Sequence, residues 1–236
     1  MYKKVAILQS NYIPWRGYFD LINYVDEFII FDEMQYTKRD WRNRNLIKTP
    51  NGLRWLTIPV NVKGKFNQKI KDTKIIENSW QKKHFQSIKL NYAKSKNYHL
   101  IVSLLGPLYE QHNFDYLSFC NLKFIKLINK FLKIDTKISN SSDFFLENDK
   151  NERLASLVQQ TNGNVYVSGP SAQNYIDIDV FKNKDISVEW FNYNNYKQYN
   201  QLWGDFQNHV SIIDLLMNEG QNAVNFLHSN QYKVEK

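Results

Sequence analysis

Two rhythms of apolar residues alternate along the chain. Short apolar runs at Val5–Leu8, Phe28–Phe31, Val165–Val167 and Ser187–Trp190 read as strands of a covered sheet. Longer stretches carry apolar residues three and four apart and read as amphipathic helices. Tyr18, Leu21, Ile22 and Val25 form one such set, behind a proline, Pro14, whose fixed φ suits a first helical turn. Trp80–Lys94 behind Ser79, Tyr98–Gln111 and Phe114–Ile134 form three more, with an interruption expected at Gly106-Pro107. Glu152–Thr161, stopped by Asn162-Gly163, and Val210–Met217, with Gly220 as its C-cap, are shorter helices. Leu46–Lys48 and Leu53–Ile58 flank the turn signal Thr49-Pro50-Asn51-Gly52, and Pro59 puts the second run at a strand end or an edge. Ile70–Ile76 reads as one more short strand, and the tail Tyr232–Lys236 as frayed.

Alternating runs of these two kinds predict an α/β fold. The expectation is one domain over 1–236 with a Rossmann-like three-layer core and a mainly parallel sheet. Its strands would be Val5–Leu8, Phe28–Phe31, Leu53–Ile58, Val165–Val167 and Ser187–Trp190, with an added β-hairpin and a helical insertion over about 79–134 forming a subdomain.

Composition narrows the partners. A chain of 236 residues that is 42% hydrophobic can bury a core of that size. Cys120 is the single cysteine, so no internal disulfide forms and a reducing cytoplasm is expected. Neither a signal-peptide core nor an 18-residue apolar window is present, so no membrane span is expected. The formal charge of +8 favours an anionic partner. The lysine excess is scattered and no nucleic-acid module is recognisable, which leaves a phosphorylated small molecule ahead of nucleic acid. Lys123, Lys126, Lys130 and Lys133 share one face of a helix whose other face holds Leu117, Cys120, Phe124, Ile128, Phe131 and Leu132. This is read as a helix covering the core, with its lysines in water, rather than as a membrane-surface helix. His84, His99, His112, His209 and His228 make no metal spacing with Cys120, and neither a metal nor a cofactor is expected.

The chemistry-bearing residues cluster where strands end. Gln9, Asn11 and Tyr12 follow the first strand, and Asp32 and Gln35 follow the second, at the carboxyl edge where open α/β sheets bind ligands. Trp41-Arg42-Asn43-Arg44-Asn45 alternates two guanidinium forks with amides. On an extended backbone Arg42 and Arg44 would share a face and fit a diphosphate, with Trp41, Asn43 and Asn45 opposite. A solvated turn is the plain alternative. Val165–Val167 runs into Ser168-Gly169-Pro170-Ser171, where Gly169 lets a ligand approach and Ser171 would cap a helix and leave amides for an anion; Tyr175 lies just beyond. The expectation is one pocket holding Gln9, Tyr12, Asp32, Gln35, Ser168 and Gly169. His84 lies one turn after Trp80 on the same helix face, and a packed histidine is its plain reading. Tyr193, Tyr196 and Tyr199 read as an ordered loop over the core.

The run QSNYIPWRGYF, the strand Phe28–Phe31 with Asp32, Gln35-Tyr36, WRNRN, WLTIPV, Trp80, His84, NERL at 151–154, YVSGPSAQNY at 166–175 and VSIIDLLMNEG at 210–220 together resemble the WbqC-like family. The resemblance spans nearly the whole chain in the family's order. It implies a place among bacterial genes for O-antigen and related surface polysaccharides, and work on an activated sugar, without a residue-level mechanism. More distantly, the first strand–turn–helix resembles the cytidylyltransferase-type nucleotide fold. Its His-x-Gly-His turn falls on Trp15-Arg16-Gly17-Tyr18, where the glycine stands and both histidines are missing. That alignment would set Trp15 and Arg16 beside nucleotide phosphates.

Three functions stay open. The first is a transferase acting on a nucleotide-linked amino sugar, with Asp32 or His84 as base and Arg42, Asn43 or Arg44 as donors to an oxyanion. Its acyl or aminoacyl donor is not legible in the chain. The second is a nucleotidyltransferase-like enzyme with phosphates on Arg16 and Arg44. The third is a non-catalytic partner in a polysaccharide assembly complex.

Overall fold

The computed structural model describes residues 2–77 and 79–230, so the tail read as frayed lies outside the described residues. The strands are β1 (Lys4–Leu8), β2 (Glu27–Ile30), β3 (Arg44–Thr49), β4 (Gly52–Thr57), β5 (Lys137–Asn140), β6 (Val165–Ser168) and β7 (Ser187–Trp190). The helices are α1 (Arg16–Tyr24), α2 (Ser79–Tyr92), α3 (Tyr98–Glu110), α4 (Leu117–Leu132), α5 (Lys150–Gln160), α6 (Ile178–Lys182) and α7 (Ile212–Glu219).

One five-stranded sheet runs in the order β5-β2-β1-β6-β7, and every neighbouring pair in it is parallel. Its register puts Ala6 beside Phe28 and Val167, and Val5 beside Tyr166. Because side chains alternate across a strand, these rows face opposite ways. Ala6, Phe28, Ile30 and Val167 join the large core made with α1, α2, α3, α4 and α7. Val5, Ile7, Ile29 and Tyr166 join a second core with α5 and α6. Helices therefore cover both faces, and the expected three-layer Rossmann-like arrangement is present. The strand order reverses direction at β1, with β2 on one side and β6 on the other, which makes the carboxyl ends of β1 and β6 the switch point of the sheet.

Four elements differ from the sequence reading. Leu53–Ile58 is not a sheet strand: β4 pairs only with β3, as the antiparallel hairpin. The place assigned to it belongs to β5, whose single apolar residue gives no strand signal. Polar contacts hold β5 instead, since the buried Glu27 carboxylate accepts from Ser139 Oγ and pairs with Lys137 at 3.1 Å and Lys3 at 2.8 Å. Ile70–Ile76 is a 3-10 turn at Ile70–Asp72 followed by isolated bridges, because Ile70 and Lys71 donate their backbone N–H groups to Met34 and Asp32. Finally, α3 runs straight through Pro107. Gly106 ahead of it has no Cβ to crowd the proline ring, so the helix continues one more turn.

Candidate functional site

At the exit of β1 the chain turns sharply through Tyr12, Ile13 and Pro14. Ile13 takes φ +36°, a conformation that β-branched residues rarely adopt. Such strain costs about 1–3 kcal/mol and survives only where neighbours fix it. Here Asn45 Nδ2 donates to the carbonyls of Tyr12 (3.1 Å) and Ile13 (3.0 Å), and Ser211 Oγ donates to Ile13 at 2.7 Å. The hairpin and the cap of α7 thus hold the turn.

Beneath the turn lies a buried carboxylate. Asp32 accepts from Ser10 N at 2.8 Å, from Ser10 Oγ at 2.6 Å and from Ser118 Oγ. Burial raises its pKa, against the hydrogen bonds from Ser10 and Ser118 and the charge of Arg42, which lower it. Asn121 extends this network by donating to Ser10 Oγ (3.0 Å) and to the Arg42 carbonyl (2.9 Å). The Arg42 guanidinium then forks onto Asn11 Oδ1 (2.6 Å) and Gln9 Oε1 (3.1 Å), with Asp40 at 3.7 Å.

Above the turn is a cleft of about 210 Å3 lined by Asn11, Pro14, Trp15, Trp41, Asn45 and His209. Gly17 shapes one wall: a Cβ there would come within 2.3 Å of the Trp15 indole, so the ring can fold over the start of α1 only above a glycine. Against Trp15 packs the segment 192–210, which has no regular secondary structure but is tied down at four buried charges. Arg16 donates to the Lys197 carbonyl and to Asn208. Asp20 accepts from Tyr196 (2.6 Å) and Asp214 from Tyr199 (2.8 Å). Lys48 Nζ donates to Gln201 (2.9 Å) and to the Asp205 carbonyl (2.6 Å). So fastened, the strap sets Tyr193 against Trp15 at 5.5 Å between ring centroids, and His209 against the same indole at 4.9 Å.

The site residues read from sequence divide accordingly. Asn11 and Trp15 line the cleft, and Gln9 and Arg42 stand behind Asn11. Ser168 and Gly169 end β6, the parallel neighbour of β1, and Tyr193 links the two exits: a Cβ on Gly169 would meet its ring at 3.3 Å. Tyr12 is placed elsewhere. Its hydroxyl bonds Tyr109 (2.6 Å) and His84 Nδ1 (3.0 Å) in an aromatic core with Trp80. His84 is buried there, and burial pushes its pKa down to about 4, against a bond with the Thr57 backbone that raises it. Gln35 bonds the Phe66 carbonyl, and Asn43 the Ile58 carbonyl. Arg44 does not share a fork with Arg42; it lies over the Trp55 ring at 4.0 Å and donates to Arg39 O. Arg16 is spent on the strap, which leaves the phosphate-holding pair read for nucleotidyl transfer without one member. Ser171 sits inside a 3-10 turn, Pro170–Asn174, rather than capping a helix, and Tyr175 is exposed.

Sequence reasoning missed His209 as a cleft group and Tyr193 as the ring behind Trp15. Both lie in a stretch without periodicity, and only the Trp15 contact marks them. Among the described residues no group of three or more His, Cys, Asp or Glu could hold a metal ion, and no helix is long and apolar enough to cross a membrane.

Comparison with known proteins adds the following. The model of the WbqC-like protein family matches residues 9–226. A protein of Mycobacterium tuberculosis (strain ATCC 25618 / H37Rv), whose name is Uncharacterized protein Rv1507c, is 52% identical over 225 residues, covering 95% of this chain and 97% of its own length. No solved structure matches the chain.

Proposed function

The chain belongs to the WbqC-like protein family, and from that premise we propose that it is a cytoplasmic transferase acting on a nucleotide-linked amino sugar in surface-polysaccharide synthesis. The reaction is acyl or aminoacyl transfer to the sugar amine. One observation carries this reading: a small cleft at the switch point of a parallel sheet, walled by two indoles and holding one imidazole. Indole faces suit the C–H faces of a sugar ring, and the few polar groups fix its orientation.

In the proposed step the sugar amine attacks the carbonyl carbon of an activated acyl donor. A C–N bond forms, the bond to the leaving group breaks, and the amine proton passes to His209. Asn11, held by Arg42, supplies an amide donor toward the oxyanion. His209 replaces Asp32 and His84 as the base favoured by geometry. Asp32 is bonded to Ser10 and Ser118 and does not line the cleft; His84 stays neutral within the core.

Calorimetric titration with nucleotide-linked amino sugars tests the reading. Binding by the parent is expected. His209→Gln should bind within about threefold yet lose turnover by about 10²–10⁴-fold, the usual worth of a general base. A parent chain that binds none of these ligands would refute the proposal.

A further inference from the structure

Size sets a condition on the proposed ligand. Sites that enclose a whole drug-sized ligand run to roughly 300–1,000 Å3, whereas this cleft has about 210 Å3. It takes one sugar ring. The nucleoside and the diphosphate of a nucleotide-linked sugar must therefore rest outside it, on the adjoining surface.

That surface has a definite chemistry on the Trp41 side. Trp41, which lines the cleft, stands 5.4 Å from the Trp55 ring of β4, inclined by 42°. Trp41 is 38% exposed and Trp55 is 41% exposed. Arg44, at the start of β3, covers the Trp55 ring at 4.0 Å, and its Nε is buried without a hydrogen-bond partner. The hairpin does not need these rings for its core, because the side chains that enter the core are Ile47 and Leu56, on its other face. Trp55 instead faces outward opposite Leu46. Two adjacent, half-exposed indoles, one of them carrying a guanidinium on its face, offer π surface and positive charge to a planar base attached to an anion.

Resting on the reading of the cleft given above, we propose that Trp41, Trp55 and Arg44 form a shelf for the nucleobase of the ligand whose sugar enters the cleft. Arg42, whose fork is bonded to Asn11 at 2.6 Å and Gln9 at 3.1 Å, stays behind the cleft and fixes Asn11 toward the sugar. The base stacks on the indoles, and recognition there tolerates different bases, since every base presents a π face.

The test uses the full chain and three probes: a nucleoside diphosphate (uridine, thymidine or guanosine), the matching nucleotide-linked amino sugar, and the amino sugar 1-phosphate, which has no base. Each is titrated calorimetrically into the parent, Trp55→Ala and Trp55→Phe, with melting curves recorded for all three proteins. Trp55→Ala should weaken both nucleotide probes by about 5–150-fold, the range for alanine at base-stacking aromatics, and leave the sugar 1-phosphate unchanged. Trp55→Phe should recover most of the loss and serves as the readout if the alanine variant does not fold. Equal affinity of parent and Trp55→Ala for the nucleotide probes overturns the shelf, as does equal loss for the sugar 1-phosphate. A parent that binds the sugar 1-phosphate but no nucleotide also overturns the shelf and leaves the sugar cleft standing. A parent that binds none of the three removes the proposed function and the shelf together.

Discussion

His84 shows how burial decides the role of a single residue. With its pKa pushed down to about 4 from an ordinary 6.5, the folded protein binds fewer protons than the unfolded chain throughout that window. Stability therefore rises with pH from about 4 to 6.5 and is fully present above it. Carried to the lower end, the loss is on the order of 3 kcal/mol at about 1.4 kcal/mol per pKa unit. Urea titrations at pH 7 and pH 5 should show the decline, and His84→Leu should flatten it; an unchanged slope in that variant would assign it to another group. Arg42 gives a second test at this scale. Arg42→Lys keeps the charge but cannot bond Gln9 and Asn11 together, so it should weaken the nucleotide-sugar complex by about 1–3 kcal/mol with the fold intact. Equal affinity would return Arg42 to a purely structural role. Residue types were legible in the sequence, their surroundings much less so. Gln9 and Asn11 could be read as strand-exit residues because edge position follows from topology alone, whereas Arg42 was read with Arg44 and only the structure joins it to them. The placement of Tyr12 and His84 in an aromatic core could not, since it depends on α2, α3 and the hairpin converging from distant parts of the chain.

Elements differ in what specifies them. The buried strands and the amphipathic helices announce themselves through apolar rhythm, and the structure has them within a few residues of the expected bounds. β5 was hidden because ion pairs to Glu27, rather than apolar burial, hold it at the edge. The strap over 192–210 was legible as an ordered loop carrying Tyr193, Tyr196 and Tyr199, but its fastening was not, because buried charges fix it from outside itself, through Arg16, Asp20, Lys48 and Asp214. Its order should therefore depend on those bonds. Tyr196→Phe removes one donor from buried Asp20, which among the described residues then keeps the backbone N–H groups of His228 and Ser229. The expected cost is about 1–2 kcal/mol, with faster hydrogen exchange confined to the strap and lower turnover, because the strap carries His209. Exchange that quickens uniformly over the chain would show instead that the bond supports the whole fold. The start of α1 makes a similar point. Gly17 matches a glycine of nucleotide-binding turns, yet here it makes room for an indole. Gly17→Ala should displace Trp15 and cost about 1–3 kcal/mol as overpacking does, measured by denaturant titration.

For the molecule as a whole, the open question is whether the helical stretch over about 79–134 behaves as a unit of its own. The contacts argue for one cooperative body. Trp80, Phe85, Tyr109 and Phe124 share an apolar cluster with Ala6 and Phe28 of the sheet, and Tyr12 of the β1 exit stands edge-on to both Trp80 and Phe124. On the other side of that cluster, α7 joins α3 through the Asn97–Met217 backbone bond. Removing the helices would expose the apolar sheet face of Ala6 and Phe28 that they cover, so neither part is expected to stay folded without the other. Calorimetric unfolding should then give one transition whose van't Hoff and calorimetric enthalpies agree. A ligand that fills the cleft and its surroundings acts on this single equilibrium. At a hundred times its dissociation constant it adds about 2.7 kcal/mol, which for a domain of this length raises Tm by roughly 5–11 °C. Two resolved transitions, with only one moved by ligand, would mark the helical stretch as a separate subdomain and would show which part holds the site.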